Sequence, residues 1–66
     1  MSASSDLAEI STLRTQIDDV TARVLVVAGR YEDSPDSAIA ADLFSAERSL
    51  VAAGRFLDRV INELGA

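Results

Sequence analysis

Histidine, cysteine, lysine and tryptophan are all missing from this chain of 66 residues. Without cysteine there is neither a disulfide staple nor a thiolate metal site, and without histidine a zinc-stabilised fold loses its usual ligands. The same absences remove the common general bases, the thiolate nucleophile and the Schiff-base amine, so no catalytic constellation is expected. An inward Glu-x-x-His di-iron motif is excluded on the same ground. Chain breakers are scarce, with one proline and three glycines, and no stretch carries the period-two alternation of a strand. The longest apolar run, Val24 to Ala28, is far too short to span a bilayer. Met1 is followed by small polar residues instead of a basic region and an apolar core, so no signal peptide is expected and the chain reads as cytoplasmic.

The charge that is present is mostly negative. Eleven acidic residues against six basic ones give a net charge of -5, which disfavours a general nucleic-acid or anionic-membrane binder. All six basic residues are arginine; with abundant Ala, Val and Asp, this usage is that of a GC-rich bacterial genome. Paired acids such as Asp18 with Asp19, or Asp58 with Glu63, read as solvated helix faces: adjacent residues on a helix point about 100° apart, and nothing in the pattern suggests burial that would shift a pKa. No metal and no cofactor is expected.

Helical periodicity dominates what remains. Ile39, Leu43, Ala46, Leu50, Ala53, Leu57, Val60 and Leu64 are spaced alternately four and three residues apart, the heptad seam of a helix lying on another helix. The first half repeats the pattern through Ile10, Leu13, Ile17, Val20, Val24, Val27 and Tyr31. Asp6 followed by Glu9 resembles a capping box and predicts a first helix over about residues 6–31, after a frayed start at Met1 to Ser5. Ser34-Pro35-Asp36 predicts a second helix over about 35–64, with Ser34 as N-cap, Pro35 at the first helical position and Gly65 as the stop, leaving a turn at about 32–34. The expectation is a single domain over residues 1–66, an all-α antiparallel two-helix hairpin of coiled-coil type. In such a hairpin the pairs Tyr31 with Ile39, Val24 with Ala46, Ile17 with Ala53 and Ile10 with Val60 have numbers that all sum to 70, so the two seams hold one register.

One seam leaves apolar residues over. Leu25, Val26, Phe44, Val51, Phe56 and Ile61 lie beside or behind it, and a cluster of exposed apolar residues marks an interface. A chain this short without disulfide or metal also needs further burial, so two hairpins are expected to pair into a homodimeric four-helix bundle, with Leu25, Val26, Phe44 and Val51 in the contact. Arg48, Arg55 and Arg59 fall on one stripe of the second helix, where guanidinium groups suit a phosphate or an acidic surface or simply keep the outer face soluble. The function expected from these features is that of a small non-enzymatic interaction or adaptor module, binding itself and an unidentified protein. The alternative is an anti-sigma-like, ligand-responsive regulator that uses the arginine stripe.

Overall fold

A computed structural model describes residues 3–66, and in these the chain forms two helices and no strand. Helix α1 spans Ala3–Tyr31 and helix α2 spans Ser37–Gly65, each of 29 residues. They pack side by side along most of their length into a rod of 51 × 14 × 14 Å. The all-helical hairpin expected from the periodicity is therefore the fold.

The boundaries differ from those read in the sequence, for local reasons. Helix α1 begins at Ala3, because nothing in Ala3-Ser4-Ser5 stops a helix from running back past Asp6. Asp6 lies in its first turn, where a carboxylate complements the positive end of the dipole. Of the start expected to fray, Ala3, Ser4 and Ser5 are helical, whereas Met1 and Ser2 lie outside the described residues. At the other end Arg30 occupies the last turn of α1, the favourable place for a cation.

Ser34 is not the N-cap of α2. Its hydroxyl donates to the Tyr31 carbonyl oxygen at 2.8 Å and accepts from the Asp36 backbone N–H at 3.1 Å, while its own backbone N–H bonds the same carbonyl at 3.2 Å. One side chain thus satisfies an orphan carbonyl at the end of α1 and an orphan amide at the start of α2. Asp36 takes the N-cap position with no side-chain capping bond, its carbonyl accepting from the Ile39 N–H at 2.9 Å. Pro35 then belongs to the turn, and helix α2 starts two residues later than the proline signal implies.

The line of contact also differs at every second position. On α1 the less exposed stripe runs through Ile10, Arg14, Ile17, Thr21, Val24, Ala28 and Tyr31; on α2 it runs through Ala40, Leu43, Glu47, Leu50, Gly54, Leu57, Ile61 and Leu64. The expected Ile10, Ile17, Val24, Leu43, Leu50 and Leu57 are in this stripe. Leu13, Val20, Val27 and Ile39 are not, at 38%, 41%, 36% and 43% exposed, and Ala46 and Ala53 are exposed too. Val60 is half-buried beside the stripe. The physical reason is size: two helices approach most closely where side chains are smallest, and the fully buried positions are Ala28, Ala40 and Gly54. The Arg14 side chain reaches both Gly54 and Asp58, pairs whose numbers sum to 68 and 72, on either side of the 70 read in the sequence.

Burial is correspondingly thin. Ala28 and Ala40 are the buried apolar residues, and no large side chain among the described residues is fully buried. Replacing Ser34 by Ala should remove both hydroxyl bonds at the turn and lower the stability of the folded chain by about 1 kcal/mol, read as a lower urea midpoint at unchanged slope.

Candidate functional site: two flanks of the hairpin

Between the helices, the best-defined polar cluster is built around Arg14. Its Nε donates to Asp58 Oδ1 at 2.9 Å and its Nη2 reaches Asp58 Oδ2 at 3.4 Å, while Nη1 donates to Asp18 one turn along α1. The guanidinium lies over Gly54: a Cβ placed there would sit 2.9 Å from Arg14 Cζ. Hydrogen bonds to Asp58 first and Asp18 second raise the Arg14 pKa above its ordinary value. A raised value for a base means that its contribution is complete below the unfolded-state pKa and fades only above it, so Arg14 remains charged throughout the neutral range. Both acids are well exposed, 70% for Asp18 and 52% for Asp58, which limits these bonds to the modest strength of surface ion pairs. Sequence reasoning misses Arg14; the available signal is a charged residue one position after Leu13, facing the helix whose interior carries Gly54.

This cluster fixes which flanks share a side. Arg14 touches Asp18 and Asp58 at once, so the edge of α1 carrying Asp18 and Leu25 lies beside the edge of α2 carrying Phe44, Val51 and Asp58. The opposite side bears Leu13, Val20 and Val27 of α1 with Ile39, Ala46, Ala53 and Val60 of α2. An open cavity of about 330 Å³ lies on it, lined by Val20, Arg23, Val24, Val27 and Leu43.

The six apolar residues left over from the seam, four of them expected in a dimer contact, are therefore distributed. Leu25 and Val51, 40% and 36% exposed, join half-buried Phe44 on the Arg14 side. Val26, 60% exposed, is turned away from α2, and Phe56, 61% exposed, faces outward beneath Arg59, whose Cζ is 5.0 Å from the ring centroid. Ile61 is half-buried in the contact stripe. Of the three arginines, Arg55 and Arg59 line a shallow cleft of about 190 Å³ with Ala52 and Phe56. Arg48 does not line it, and its Nη2 donates to Ser45 Oγ at 2.9 Å. Asp19 and Arg23, one turn apart on the exposed face of α1, pair at 3.6 Å. Among the described residues no helix is long and apolar enough to cross a membrane, and no group of three or more acids is placed to hold a metal ion. No family model matches the chain, and neither a curated protein nor a solved structure matches it.

Substitution of Gly54 by Ala tests the seat of the guanidinium. Alanine favours the helix by about 1 kcal/mol but displaces Arg14, so the net change in stability should be small. The coupling measured by a double-mutant cycle of Arg14→Met with Asp58→Asn, below about 1 kcal/mol in the native background, should vanish in the Gly54→Ala background.

Proposed function

We propose that this chain is a small non-enzymatic helical interaction module, a hairpin that completes its burial by packing against further helices in a four-helix bundle. The observation that carries this reading is a well-formed hairpin in which, among the described residues, no large side chain is fully buried and eight large apolar residues are left exposed. Four of them, Leu13, Val20, Val27 and Ile39, share one side of the hairpin; an apolar cluster of that kind marks an interaction face, and antiparallel helical hairpins bury such faces as bundles. Self-association and docking onto a larger protein both use the same physics, and the acidic charge balance of the chain is compatible with either role.

A second reading rests on the cleft lined by Arg55, Phe56 and Arg59, where the Arg59 guanidinium lies over the aromatic ring. Such a cleft suits a phosphate-bearing ligand with a planar group, as in a ligand-responsive regulator.

Sedimentation and circular dichroism along one dilution series test the first reading. The expected result is an oligomer whose helicity falls as it dissociates; a fully helical monomer at every concentration counts against it. For the second, nucleotides and inorganic phosphate should raise the melting temperature of the native chain, and Arg59→Ala should abolish the shift.

A further inference from the structure

The exposed apolar side of the hairpin is close to palindromic. On α1 it reads Leu13, Val20, Val27, symmetric about Val20; on α2 it reads Ile39, Ala46, Ala53, Val60, large at both ends and small in the middle, symmetric about the Ser49–Leu50 peptide. The two centres lie at nearly the same height, because the contacts of Arg14 with Gly54 and with Asp58, half a turn to either side of residue 56, place Val20 opposite about residue 50. From this we infer that the occupant of the face is a second copy of the chain, turned end over end by a two-fold axis that crosses the rod at Val20. The inference rests on the interaction-module reading and adds to it the face, the occupant and the orientation.

The rotation lays α1 along its counterpart and α2 along its counterpart, each pair antiparallel. Val20 meets Val20, Leu13 meets Val27, Ile39 meets Val60, and the two alanines of each α2 meet at the centre, where they permit close approach. The cavity beside Val20 and Val27 is the hole that receives a side chain of the second copy.

Charge supports the same orientation. The outer edge of α1 beside this face carries Glu9, Gln16, Arg23 and Arg30, one heptad apart and all exposed. Run against itself in reverse, the edge sets Glu9 beside Arg30 and Gln16 beside Arg23. The turn carries exposed Glu32, Asp33 and Asp36; the end-over-end arrangement puts the two acidic tips at opposite ends, whereas turns at one end would bring them together. Size is adequate as well. A face of 51 × 14 Å is about 710 Å² per copy, or roughly 1,400 Å² for the pair, within the range of about 1,200–2,000 Å² that specific interfaces bury.

Because the chain has no cysteine, a single introduced thiol reports the axis directly. Val20→Cys places two thiols within disulfide reach across the two-fold, so mild oxidation at a concentration where the chain sediments as a dimer should move most of it to twice the mass on a non-reducing gel. Leu25→Cys, on the Arg14 side, should stay at single mass. Should Val20→Cys fold poorly, a mixture of Leu13→Cys and Val27→Cys chains gives the same information through a mixed cross-link. A dimer in which Leu25→Cys or Val51→Cys cross-links and Val20→Cys does not overturns the face and orientation while leaving the module reading intact. Persistence of a fully helical monomer removes both.

Discussion

Two long helices can approach closely only where one of them offers little side chain, and at Gly54 that space is occupied by the Arg14 guanidinium. The rest of the hairpin follows from this contact and from its small neighbours Ala28 and Ala40. Leucines at 43, 50, 57 and 64 would accept the opposing helix one heptad out of register almost as well as in it. Arg14 would not, because the heptad-equivalent places on α2 are Ala40, Glu47 and Ile61, each with a Cβ where Gly54 has none. The ion pairs it makes with Asp18 and Asp58 contribute little free energy at this exposure. Their use is to hold the guanidinium flat over the glycine, which makes them a register device more than a source of stability.

The hairpin is legible in the sequence because heptad spacing is a periodic signal carried by many residues, and the end of α1 at Tyr31 follows from it to the residue. The turn differs in detail because a serine before a proline can satisfy either helix, and only the folded geometry shows its hydroxyl bonded to the Tyr31 carbonyl and the Asp36 amide. The contact stripe is rotated for a subtler reason. Periodicity finds the middle of an apolar face, whereas a lone pair of helices packs along its smallest residues, and nothing in the pattern says that Arg14 and Thr21 belong inside. Thr21 fits there because its hydroxyl donates to the Ile17 carbonyl at 2.6 Å, leaving the methyl outward from the backbone.

The apolar stripe with the most regular spacing is thus aimed partly at the neighbouring helix and partly into solvent. In a four-helix bundle each helix has two neighbours about a quarter turn apart, and its core residues point between them. Ile17 and Val24 lean toward α2, Leu13, Val20 and Val27 lean away from it, and together they describe such a direction. The dimer residues expected from the sequence are those left over from one seam; the structure divides them among several sides. The same division separates Arg55 and Arg59, grouped around Phe56, from Arg48.

Ala28 and Ala40 are the buried apolar side chains of the hairpin, and that has a consequence for the lifetime of the chain. The free energy that opposes local opening scales with the apolar contacts that opening breaks, and here these are few. A protease that cleaves transiently opened backbone will therefore find this hairpin easily, and anything that covered its outer face would slow the cut.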